Sequence, residues 1–164
     1  MDEALRQGAR WRGPGWAAWL LVVLLAWTPA GTSWAAPGST LVLAAGPHFP
    51  EGVRLSPQEV RLLFLGGRVS RGGVRLQPVL NAADPFLEEV FLQKVLFMSK
   101  AHYQRRLVAL AFRLGRPRPP VFQDEEALAE HLRRRPGAVS YLWARHARRL
   151  GLTIVQELWS DSAP

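Results

Sequence analysis

The residues Ser56-Pro57-Gln58-Glu59 fix a helix start more firmly than any other stretch of this chain fixes a structure. Ser56 stands as the N-cap, and Pro57 falls at the first helical position, where its missing N–H costs nothing. Glu59, three residues after the serine, completes a capping box, with Leu55 and Val60 placed as a hydrophobic staple. Gly66-Gly67 ends this helix just after Leu65. Immediately upstream, Thr40 to Ala45 (TLVLAA) is a continuous apolar run closed by Gly46, which predicts a buried strand. A buried strand feeding a capped helix already points to an alternating α/β chain.

The rest of the sequence keeps the alternation. Arg71-Gly72-Gly73 turns into Val74 to Leu80, whose patterning predicts a strand with Pro78 near its end. Asp84 caps the next helix with Pro85 at its first position, and Leu87, Val90, Phe91, Val95 and Met98 recur at helical spacing to give one apolar face. A further helix spans about Ala101 to Leu114 and stops at Gly115. Arg116-Pro117-Arg118-Pro119-Pro120 cannot continue it and predicts an extended crossing. Asp124-Glu125-Glu126 opens one more helix with acids at its positive end, and Arg133-Arg134-Arg135 closes it before Pro136-Gly137. Ala138 to Trp143 and Leu152 to Leu158 read as two last strands around a basic helical turn at His146. The expected architecture is a single α/β domain, a small sheet of about four strands flanked by helices.

Residues 1–35 have a different character. A basic start (Arg6, Arg10, Arg12) precedes twelve apolar residues from Trp16 to Trp27, a breaker at Thr28-Pro29, and Ser33-Trp34-Ala35. Small residues flanking one larger residue suit a signal peptidase, so cleavage is expected between Ala35 and Ala36. The apolar run is shorter than the roughly 20 residues that a membrane span needs. The sequence thus divides into a signal peptide, 1–35, and a mature domain, 36–164, that is periplasmic or secreted and has no stable membrane span after cleavage.

Beyond residue 35 the chain carries 18 Lys+Arg against 11 Asp+Glu, and all but Lys94 and Lys100 of those bases are arginine. Arginine offers a planar fork of donors suited to phosphate, sulfate and carboxylate. Nucleic acid is disfavoured as a partner, because the chain is expected to be exported and lacks aromatics spaced as stacking platforms. The absence of cysteine excludes disulfides, thiol catalysis and cysteine-based zinc sites. The four histidines, His48, His102, His131 and His146, have no zinc-ligand spacing, and no nucleophile elbow or phosphate-cradling glycine loop is present. No catalytic residue, metal site or cofactor is expected, and the chain does not read as an enzyme.

Four motifs carry a resemblance. Leu55 to Gly67 (LSPQEVRLLFLGG) is similar to the "LSxxxLxxIFLGK" segment of phosphate-type periplasmic solute-binding proteins of ABC transporters. Gly73 to Val79 resembles that family's "GxxIxPV" strand, Asp84 to Phe91 falls where it has a helix ending in a core phenylalanine, and Pro136 to Leu142 resembles its "PGAIGYV" strand. The likeness runs over about residues 40–158, and implies one lobe of a type II periplasmic binding protein, a short single-lobe relative.

That resemblance also implies which ligands are missing. In the family an Arg-x-Asp-x-Ser-Gly-Thr loop before the core phenylalanine holds the oxyanion. Counted back from Phe91, those places are Asn81, Ala83, Pro85, Phe86 and Leu87. Asn81 and Asp84 are the ligand-binding candidates that remain: the Asp84-Pro85 helix start presents N–H donors at a positive dipole end, with an amide three residues upstream. Asp84 can equally cap its own helix and occupy those donors. The expected function is accordingly a solute-binding-protein-like domain linked to phosphate or another small anion in ABC-type uptake. The alternative is an envelope interaction or sensory accessory module that kept the fold and lost the ligand. An ABC permease or another envelope protein is the expected partner.

Overall fold

The protein is described by a computed structural model covering residues 39–115 and 117–161. The expected signal peptide and its cleavage point lie outside the described residues. In chain order the elements are β1 (Thr40–Ala45), α1 (Pro57–Phe64), β2 (Ser70–Arg71), β3 (Val74–Arg75), β4 (Gln77–Pro78), β5 (Leu80–Asn81), α2 (Pro85–Phe91), a π-helical turn (Leu92–Leu96), α3 (Lys100–Leu114), β6 (Val121–Phe122), α4 (Glu125–Arg134), β7 (Ala138–Trp143), α5 (Ala144–Arg149) and β8 (Thr153–Ser160). Among the described residues no helix is long and apolar enough to cross a membrane.

A mixed four-stranded sheet in the order β4-β7-β1-β8 forms the middle layer. β1 runs antiparallel to both β7 and β8, while β4 runs parallel to β7. Side chains alternate across a strand, so the unbroken apolar run of β1 serves two cores at once. Leu41, Leu43 and Ala45 join Val139, Tyr141 and Trp143 against α1, α2 and the π-helical turn. Val42 and Ala44 join Ala138 and Leu142 against α4 and α5, where Leu128, Leu132 and Ala147 pack. A helix layer on each face of a small sheet is the α/β architecture that the element order predicted.

The helix starts form as the sequence dictates. Ser56 Oγ accepts from the Glu59 amide and the Glu59 carboxylate accepts from the Ser56 amide, closing the capping box at 3.2 and 2.9 Å. That backbone hydrogen bond from Ser56, helped by Arg71, holds the Glu59 carboxyl below its ordinary pKa. Asp84 caps α2 and Asp124 caps α4 through their side chains.

Two stretches differ from expectation. The strand expected over Val74 to Leu80 is three two-residue pieces, because its partner changes along the way. Val74–Arg75 pairs β2 across Gly72-Gly73, where φ is positive at both glycines and the hairpin turns tightly. Gln77–Pro78 then pairs β7, and Leu80–Asn81 pairs β6. Gln77 N and Val79 N donate to Gly137 O and Val139 O, so the N–H that Pro78 lacks falls on the side away from β7.

The helix expected to run from Pro85 to Met98 breaks. After Phe91 it widens into the π-helical turn, which buries Leu92, Val95 and Leu96 together, and Phe97 ends it with φ of 56°. Arg61 of α1 secures the break: its Nε donates to Val95 O at 3.0 Å and its guanidinium lies 4.4 Å over the Phe97 ring. The closing strand runs Thr153–Ser160, and the basic turn around His146 is α5.

Candidate functional site

The loop from Val79 to Leu87 holds both ligand-binding candidates, and the sheet positions it. Asn81 closes β5 and Asp84 opens α2, so the two lie at the end of a strand and the start of a helix. Beneath them sits an aromatic cluster at the centre of the core. Phe91 stacks on Tyr141 at 3.9 Å, and Phe64 meets both rings edge-on at 4.8 and 5.8 Å. Phe91, at the place where the resemblance implied a core phenylalanine, and Tyr141 are both buried.

Asn81 is fully buried and its side chain is engaged at both ends. Its Oδ1 accepts from Ala83 N at 3.0 Å, and its Nδ2 donates to Tyr141 O at 3.4 Å. The Tyr141 hydroxyl in turn donates to Asn81 O at 2.9 Å. Burial, with the charge of Glu88, pushes the Tyr141 pKa far up, so this donor keeps its proton at every physiological pH.

Asp84 is equally committed. Its Oδ1 accepts from Phe86 N and Leu87 N at 2.9 and 3.1 Å, and its Oδ2 accepts from Trp143 Nε1 at 2.9 Å. Pro85 has no N–H, and Glu88 N bonds to Asp84 O. Every backbone donor in the first turn of α2 is therefore absent or occupied. An anion binds there only after displacing the Asp84 carboxylate, which its own negative charge opposes. The structure brings Asn81 and Asp84 into one loop and engages both side chains internally.

A second polar cluster joins the start of α4 to α5. Glu125 accepts from Arg149 at 2.9 Å and faces His146 Nδ1 at 2.7 Å, while Arg145 Nε points at His146 Nε2 at 3.2 Å. With Nε2 accepting, Nδ1 carries the proton given to Glu125. Both ring nitrogens are engaged, and the cluster clips two helices together. Among the described residues no group of three His, Asp or Glu side chains is disposed to hold a metal.

Sequence reasoning missed one surface. A cleft of about 290 Å3 opens between the end of α1, α3, the Leu76–Pro78 edge and the Pro117–Pro120 segment. Leu63, Leu76 and Leu107 form its buried floor, and Arg75 and Arg118 stand exposed at its rim. The signal was present in the helical spacing of Leu107, Leu110 and Ala111 and in the proline-rich crossing, which reads as a connection when its neighbours are unknown. Neither a family model nor a curated protein matches this chain.

Proposed function

We propose that this chain is an exported binding module, built like one lobe of a phosphate-type solute-binding protein, that engages another envelope protein and holds no phosphate of its own. The observation that carries this reading is the closure of the α2 start by Asp84. Its three hydrogen bonds use the donors that an oxyanion would need, and Asn81 is fully buried with its amide turned to Tyr141 O and Ala83 N. A solute receptor surrounds its anion with strong charge-assisted contacts in a water-free site; one exposed helix start contributes only about 0.3–1 kcal/mol per charge. On this reading the chain performs no catalysis, and its place is the periplasm or the outside of the cell.

Titration calorimetry of the purified protein with inorganic phosphate tests the reading. Binding is expected to be millimolar or weaker, about −4 kcal/mol or less on the affinity scale. A micromolar constant would overturn it and make the chain a self-sufficient receptor for anion uptake. Export has its own check, since mass spectrometry of the protein recovered from its native cells should find an N-terminus at Ala36. An intact Met1 on the recovered protein would remove the envelope from the proposal.

A further inference from the structure

The cleft between α1, α3 and the proline-rich segment has a chemistry that the Asp84 loop lacks. Its lining is largely apolar, with Leu76 and Leu107 buried at its floor and Leu110, Pro78 and Pro119 partly exposed beside them. Its charged lining residues are Arg75 and Arg118, with no Asp or Glu beside them. Neither arginine forms an ion pair among the described residues, although Glu59, Glu88, Glu125 and Glu130 all do. Two unpaired guanidinium forks at the rim of an apolar trough are complementary to carboxylates flanking an apolar group.

The dimensions narrow the occupant. At about 290 Å3 the cleft is slightly smaller than the roughly 300–1,000 Å3 of pockets that enclose whole small molecules. It suits one or two side chains of a segment that passes over it. Pro78, Pro119 and Pro120 have no N–H, so the walls cannot extend a backbone ladder onto the guest; recognition there rests on side chains.

We infer that this cleft docks an extended acidic segment of a partner protein, with one or two apolar residues seated on Leu107 and Leu110 and flanking Asp or Glu carboxylates held by Arg75 and Arg118. The inference rests on the reading of the chain as an interaction module, and names where the partner binds and with what chemistry.

Fluorescence polarisation with a labelled nonapeptide, Asp-Glu-Asp-Leu-Pro-Leu-Glu-Asp-Glu, tests it on the purified protein. The peptide is expected to bind with a micromolar constant that weakens as salt is raised. The double variant Arg75→Glu/Arg118→Glu, altered at two exposed positions, should keep its circular dichroism and lose about tenfold or more in affinity. The same variant should gain affinity for a peptide with lysine at every acidic position. Two companion probes separate the sources of binding: a peptide with serine for both leucines, and vesicles of phosphatidylglycerol. Loss of binding with the serine peptide supports the apolar floor. Overturning results are no binding of the acidic peptide, equal binding by the double variant, undiminished binding of the serine peptide, or arginine-dependent binding to the vesicles without binding to the peptide. Failure of the peptide while phosphate binding stays weak sinks the docking site alone; micromolar phosphate binding sinks the function reading beneath it.

Discussion

Phe91→Ala is expected to lower the unfolding free energy by about 3–5 kcal/mol, a large share of the 5–15 kcal/mol typical of a whole domain. Phe91 has no exposed surface, stacks on Tyr141 within 5° of parallel, and presents its edge to Phe64. Truncation leaves a cavity between two rings that are themselves anchored. Tyr141 is tied by its hydroxyl to Asn81 O, and Phe64 sits at the end of α1 with its carbonyl bonded to the Tyr103 hydroxyl. The Tyr141 ring cannot move to fill the space without breaking a buried hydrogen bond, and the Phe64 backbone is held in place, so the site collapses poorly. Urea titration followed by circular dichroism measures the loss. A change below about 1 kcal/mol, the range of ordinary surface substitutions and mild core swaps, would mean that the core is not centred on this cluster.

Gly46→Ala should cost about 1–3 kcal/mol or more for an unrelated reason, overpacking against backbone. A Cβ at Gly46 would lie 2.2 Å from Leu132 O and 2.8 Å from the same carbonyl carbon, at the end of α4. Backbone cannot rotate aside as a side chain can, so the helix must shift off the sheet. Gly73→Ala is the comparison: nothing lies within 4 Å of its added methyl, and its φ of 75° leaves only the left-handed strain of about 1–2 kcal/mol. Thermal denaturation of the two variants, with the midpoint of Gly46→Ala the lower, separates steric exclusion from conformational strain. The opposite order would show that α4 is free to move away from β1.

The parts of the fold that were legible in the sequence are those fixed by local chemistry. Ser56, Asp84 and Asp124 each cap the helix they precede, because a side-chain oxygen finding an N–H two or three residues ahead needs nothing from the rest of the chain. β1 and β7 were legible from apolar runs that two cores demand. What escaped depends on distant partners. The change from helix to π-helical turn at Leu92 needs Arg61, which lies on another element and bonds to Val95 O. The splitting of the strand at Val74 to Asn81 needs β2, β7 and β6 in succession, and the short β6 gives no run of its own to notice. At the candidate site, the self-capping role of Asp84 was legible from Asp-Pro alone, whereas its bond to Trp143 crosses 59 residues of sequence. The cleft is the extreme case, with walls contributed by four separate stretches.

The place of β1 in the sheet also governs when the domain can come into being. Its two neighbours are β7 and β8, so Leu41 finds its partners only at Trp143 and Trp159. β1 therefore waits, without either of these partners, through the making of α1 to α4. Such long-range pairing is slow as well as late, since a large loop must close before any contact rewards it. A chain of this connectivity stays threadable until its final strands arrive. On the export proposed above, that delay would be an asset, since passage through a narrow translocation channel would be over before there is a folded body to obstruct it.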